Sequence, residues 1–156
     1  CELVDIFLAE YVAPLDFARA TTRQAPTGLV IREVEEVPLK GKNPQSTMRE
    51  AHYRVCVSTS ASESEIGAAI QELLSRPHIV RQRLQKRRLK EYDLRPLILD
   101  VALCPSVGDA HQLHMELCCG PLGAARPEEV LEEMGMGVYR YTIHRVRLLW
   151  GNGEEN

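Results

Sequence analysis

Apolar and polar residues alternate with period two, or recur at helical spacing, over most of the chain. Tyr53, Val55 and Val57 alternate with His52, Arg54 and Cys56, and Leu113, Met115, Leu117 and Cys119 do the same further on. Both stretches predict strands with one buried face. Ser62 stands three residues before Glu65, the spacing of a capping box. Ile66, Ala69, Ile70, Leu73 and Leu74 then form one apolar stripe, so a helix is expected up to Pro77. Pro127, Glu128 and Glu129 precede Val130, Leu131 and Met134, which predicts a second helix with Gly135 as its C-terminal cap.

The remaining segments fill the gaps between these elements. Leu97, Leu99, Val101 and Leu103 alternate as a strand, joined to the Leu113 strand by a hairpin loop over 105–110. Val138 to Trp150 is apolar on both faces in part, the pattern of a central strand. At the start, Glu2 to Ala9 and Leu29 to Val37 read as strands flanking a weakly patterned helix that begins near Pro14 and stops at Pro26-Thr-Gly28. Residues 40–50 are polar and turn-rich and are taken as a linker. The expected fold class is α+β: a ferredoxin-like βαββαβ unit over 51–150 with an extra basic hairpin. Ahead of it, 1–39 reads as a strand, a helix and a strand, and 151–156 as a frayed tail. The chain opens on a strand with no methionine, so a piece of a longer polypeptide is expected, with an unpaired edge near Leu3 to Leu8 open to pairing with another copy.

Charge changes the picture at one place. The whole chain carries −3, but between Arg76 and Arg95 eight Lys or Arg face only Glu91 and Asp93, a local balance of +6. Ile79 to Gln85 and Leu89 to Leu94 fit two antiparallel strands around Lys86-Arg-Arg88. By alternation Val80, Leu84, Tyr92 and Leu94 turn inward, and Arg81, Arg83, Glu91, Asp93 and Arg95 turn outward. An anionic partner is one reading, with Arg81, Arg83, Lys86, Arg87, Arg88, Lys90, Asp93 and Arg95 as the binding set. The other is a solvated hairpin in which Arg81 and Arg83 pair across to Glu91 and Asp93 for roughly 0.2–1 kcal/mol each.

Composition excludes more than it assigns. With 44% apolar and 26% charged residues the chain is of the globular type. No apolar run nears the roughly 20 residues of a membrane span. Five irregularly spaced cysteines do not make a disulfide framework, so a reducing cytoplasm is the expected compartment. No phosphate-cradling glycine loop occurs. His111 and His114 face opposite ways on a strand, and His114 and Cys118 lie about 13 Å apart along one, so a zinc site is not expected there. A pocket lined by His114, Glu116 and Cys118 is the arrangement that would indicate chemistry. Aromatics make up 5% of the chain and leave few platforms for stacking bases.

Glu36-Val-Pro38, Lys90-Glu-Tyr-Asp-Leu-Arg-Pro96, Gly120-Pro121, Arg126-Pro-Glu-Glu-Val130 and the Arg-rich closing strand resemble the radical-SAM-linked domain of unknown function, a bacterial domain beside or C-terminal to radical SAM proteins. The resemblance covers most of 1–150. It implies a tandem ferredoxin-like pair, with 1–39 as the incomplete βαβ remnant of the preceding unit, and a non-catalytic accessory role: docking the radical SAM module of the parent protein, or positioning an anionic substrate. RNA, as a tRNA or rRNA presented to a modifying enzyme, is the alternative partner. The Cys-x-x-x-Cys-x-x-Cys cluster loop of radical SAM enzymes is not matched here. A [4Fe-4S] cluster and S-adenosylmethionine are therefore expected of the parent alone.

Overall fold

The computed structural model describes residues 2–37, 47–85, 87–120 and 123–151. The chain divides into two compact units, residues 2–42 and 43–156.

The second unit carries the sheet. Its elements run β1 (Met48–Ser58), α2 (Glu63–Ser75), β2 (Val80–Gln85), β3 (Arg88–Asp93), a 3₁₀ turn (Arg95–Leu97), β4 (Ile98–Val107), β5 (Ala110–Gly120), β6 (Gly123–Ala124), α3 (Pro127–Glu133) and β7 (Arg140–Trp150). The main sheet is antiparallel in the order β4-β5-β1-β7, and β2 and β3 form a separate two-stranded ribbon. Strand, helix, ribbon, two strands, helix and strand are thus the elements expected from the sequence.

The alternation sorts the sheet into two faces. Val55 and Val57 of β1, Val101 of β4, and Leu113, Met115 and Leu117 of β5 pack with Ile66, Ile70 and Leu73 of α2 and Val130 and Leu131 of α3. Removing each such side chain from water contributes roughly 1.5–3 kcal/mol. Both helices are set by local chemistry. The Ser62 hydroxyl accepts from the Glu65 amide at 3.3 Å, and the Glu65 carboxylate accepts from the Ser62 amide at 2.7 Å. At the end of α3, Met136 donates to the Leu131 carbonyl at 2.7 Å and Gly135 to that of Glu132 at 3.0 Å. That closure needs the left-handed φ of +71° that Gly135 supplies.

Four expectations are corrected here. First, β1 begins at Met48, inside the stretch expected to be linker, because Met48, Glu50 and Ala51 pair with Trp150, Leu149 and Leu148. Second, β4 carries a register shift between Ile98 and Asp100. The shift reverses the phase, so Ile98 is buried and Leu99 exposed. Third, β4 continues to Val107 through a second shift at Pro105, which has no N–H for the ladder, and the hairpin is only the two residues Gly108-Asp109. Fourth, β7 is an edge strand rather than a central one, which leaves its Trp150 partly exposed.

The first unit holds α1 (Pro14–Gln24), with Pro14 at its first position and Thr21 Oγ1 donating to the Phe17 carbonyl at 2.7 Å. The strands expected over 2–9 and 29–37 are not found. Neither segment has a ladder partner among the described residues, and a strand exists only through such pairing. None of the described residues of 2–37 is buried.

Candidate functional site

In the ribbon expected to carry the site, β3 faces as its alternation predicts, with Tyr92 half-buried and Leu94 buried, whereas β2 is turned over. Cross-strand partners point the same way, and the register pairs Arg81 with Tyr92, Arg83 with Lys90, and Leu84 with Leu89. Arg81, Arg83 and Tyr92 are half-buried, whereas Val80 (63%), Leu84 (68%) and Leu89 (69%) are exposed. On β2 the period is the expected one and its sign is reversed. The reason is α3, whose carboxylates offer better partners than Glu91 and Asp93. Arg83 Nη2 lies 2.7 Å from both Glu129 carboxylate oxygens and donates to the Ala124 carbonyl at 3.1 Å. Its guanidinium also lies over the Tyr92 ring, 4.8 Å from the centroid. Tyr92 donates its hydroxyl to Glu129 at 2.6 Å. Arg81 bonds Glu133 at 2.7 Å and also Glu132.

These contacts fix the electrostatics. Burial pushes the Glu129 carboxyl up, but the bonds from Arg83, Tyr92 and the Arg126 amide outweigh it and hold the group below the usual glutamate range. Burial, then Glu129 beside it, raises the Tyr92 hydroxyl. Asp93 closes the ribbon's base. Its Oδ1 accepts from the amides of Ile79 at 2.9 Å and Arg95 at 3.0 Å, its Oδ2 lies 2.7 Å from His78 Nδ1, and the Ile79 amide and His78 hold its carboxyl down. Arg95 donates to the Leu74 carbonyl at the end of α2 and to that of Ile98. Arg81, Arg83, Asp93 and Arg95 therefore tie the ribbon to its own unit. Arg87, Arg88 and Lys90 stay exposed, with no partner among the described residues. Lys86 lies outside those residues.

A second constellation sits on the sheet face that neither helix covers. The registers of β4, β5, β1 and β7 set side by side Asp100, Glu116, His52 and Arg147, and in the next row Ala102, His114, Arg54 and His144. Glu50 and Cys118 follow at one end, Cys56 and Gln112 at the other. His52 Nε2 lies 2.5 Å from Glu50 Oε1, and His52 Nδ1 lies 3.7 Å from Glu116 Oε1. His114 Nε2 approaches that same oxygen at 3.2 Å, and the two imidazoles meet edge to face with centroids 5.4 Å apart. Arg54, His144 and Arg147 make no hydrogen bond or ion pair among the described residues. Cys118 and Cys119 are half-buried, and burial raises both thiols, which keeps them protonated and poor nucleophiles. His111 sits beside Ser106, its Nδ1 3.3 Å from the Ser106 hydroxyl. His52 and Glu50 were not foreseen. The available signal was Glu50-x-His52 and His114-x-Glu116, each placing a carboxylate and an imidazole on one strand face.

The molecule is thus an α+β protein whose sheet is apolar and helix-packed on one side, and polar and rich in His and Arg on the other. Residues 1–127 match the family described as an uncharacterized protein conserved in bacteria (DUF2344), and the chain belongs to that family. No curated protein matches it. Among solved structures, a chain of the "Crystal Structure of a Cbf5-Nop10-Gar1 Complex" is similar at 14% identity with a TM-score of 0.44, over 67% of this chain and 31% of that one. A likeness at that level carries no functional argument. No described helix is long and apolar enough to cross a membrane.

Proposed function

We propose that this chain is a non-catalytic accessory domain whose uncovered sheet face and ribbon tip dock an acidic protein surface, that of a radical SAM-type catalytic module. The observation that carries the reading is the division of its cations. Arg81, Arg83 and Arg95 are consumed by internal partners, while Arg54 and Arg147 on the sheet and Arg87, Arg88 and Lys90 on the ribbon have none among the described residues. Membership of a bacterial domain family and the sequence resemblance to the radical-SAM-linked domain support the setting. The strand order β4-β5-β1-β7, with a helix after β1 and another after β5 on one face, supports a ferredoxin-like unit with an inserted ribbon.

A protein partner is favoured over RNA by where the aromatics lie. Tyr53, Tyr92 and Tyr141 pack against the apolar core, and the aromatic rings that the register sets among the polar rows of the uncovered face are the imidazoles of His52, His114 and His144. The test is fluorescence anisotropy of this chain with a radical SAM module encoded beside it or fused to it, run beside a tRNA gel shift. Binding to the protein that weakens at least tenfold in R54E/R147E or R87E/R88E supports the reading. Salt-dependent retention of tRNA moves it to nucleic acid. No binding to either at low salt ends it.

A further inference from the structure

We propose that His52, His114 and Glu116 form a binding site for a divalent first-row metal ion, with Glu50 as the outer partner that orients His52. The proposal is independent of whether the face also docks a protein.

Three donor atoms converge from two strands. One nitrogen of each imidazole and one Glu116 oxygen all lie within 4.8 Å of one another. Ligands about 2.0–2.1 Å from a tetrahedral metal stand roughly 3.3 Å apart. Glu116 Oε1 already stands 3.2 Å from His114 Nε2 and 3.7 Å from His52 Nδ1. Only side-chain adjustment is needed to close the set, because all three residues sit on paired strands whose backbone fixes their spacing. Glu116 is the direct cross-strand partner of His52.

Hydrogen bonding prepares His52 for this role. Its Nε2 lies 2.5 Å from Glu50 Oε1. With the proton on that nitrogen, Nδ1 presents a lone pair to the Glu116 carboxylate. That contact is 3.7 Å, too long for a hydrogen bond. In that tautomer a cation placed between Nδ1 and Glu116 Oε1, the oxygen that also stands 3.2 Å from His114 Nε2, would satisfy all three atoms once His114 carries its proton on Nδ1. A carboxylate holding the far nitrogen of a ligating histidine is the usual outer-shell arrangement around metals, and it raises the basicity of the ring. Two histidines and one carboxylate leave a coordination position open, the pattern of sites that bind a water or substrate oxygen. His114 and Glu116 are a third exposed, which gives that position access to solvent, while the His52 side chain is only 14% exposed. Arg54 and Arg147 stand beside His114 and His52 in the register, and Glu50, Glu116 and Asp100 set three carboxylates against these two cations.

The competing arrangement is a protonated His52 bridging Glu50 and Glu116 with no metal. Titration of the purified chain with Co²⁺ and Zn²⁺ separates the two. The expected result is one equivalent bound, visible Co²⁺ bands without a thiolate charge-transfer band, and Zn²⁺-induced shifts of the ring nitrogens of His52 and His114 but not of His78 or His111. His114→Gln and Glu116→Gln should abolish the bands. Glu50→Gln should weaken binding about 10–100-fold, and His111→Ala should leave it unchanged. Circular dichroism confirms that each variant is folded, and the nitrogen shifts test the unaltered chain directly. No saturable binding at millimolar metal, a thiolate band showing capture by cysteine, or unperturbed His52 and His114 nitrogens would each overturn the proposal.

Discussion

The root and the tip of the basic ribbon are built from the same residue types, yet they have opposite fates. At the root, Arg81 and Arg83 reach the carboxylates of α3, Tyr92 lies under one guanidinium, and Asp93 clasps the turn into the 3₁₀ segment. Towards the tip Arg87 and Arg88 stand in solvent, and so does Lys90, although it lies directly opposite Arg83 in the ladder. A run of cations is therefore not one feature. What each contributes is decided by whether an acceptor 41 to 52 residues away in sequence lies within a side chain's length.

The comparison breaks most sharply at Arg83. Arg83→Ala leaves the Glu129 carboxylate, whose side chain is 13% exposed, without its cation and with only the Tyr92 hydroxyl and the Arg126 amide, and should cost about 1–3 kcal/mol in urea denaturation. A loss no larger than that of a tip variant would erase the distinction. Acid is the next lever. Because Glu129 ionises more readily folded than unfolded, the stability it contributes is complete above the ordinary glutamate range, ~4.3, and is lost as pH falls through its lower folded value. Urea midpoints measured downward from pH 5 should fall, and Glu129→Gln should flatten that fall. Asp93 acts in the same direction from a lower starting pH. Arg81→Ala should cost less, under about 1 kcal/mol and less again in high salt, since Glu132 is half exposed and Glu133 keeps Arg76 at 3.0 Å. At the tip, Arg88→Ala should change stability by no more than about 0.5 kcal/mol. Arg87→Gly should be neutral or mildly stabilising, since Arg87 holds a φ of +66° that glycine adopts without steric cost.

Much of the fold was legible because its signals are local. The Ser62–Glu65 box, the Ile66–Ile70–Leu73 stripe, Pro127 and Gly135 each act within a turn of helix, and the Leu113–Met115–Leu117 alternation states its own buried face. What failed depended on distant partners. The phase of β2 was misjudged because alternation cannot tell apolar-in from arginine-in when half-buried carboxylates wait on α3. Leu99 was misassigned because one bulge reverses every residue before it. Of the ribbon residues singled out as binding groups, Arg81, Arg83, Asp93 and Arg95 have internal partners invisible in a linear reading. The histidine cluster was missed for the same reason: His52 and His114 lie on strands whose register the sequence does not spell out, although the Glu-x-His and His-x-Glu spacings marked both.

Residues 2–37 bury no side chain, so the heat of unfolding should come almost wholly from the stretch that begins at Thr47. A calorimeter should record a transition enthalpy near 60 °C of about 70 kcal/mol, the value for ~105 cooperative residues, rather than the ~110 kcal/mol that the full length would release. The thermogram would then measure how much of this polypeptide melts as one body.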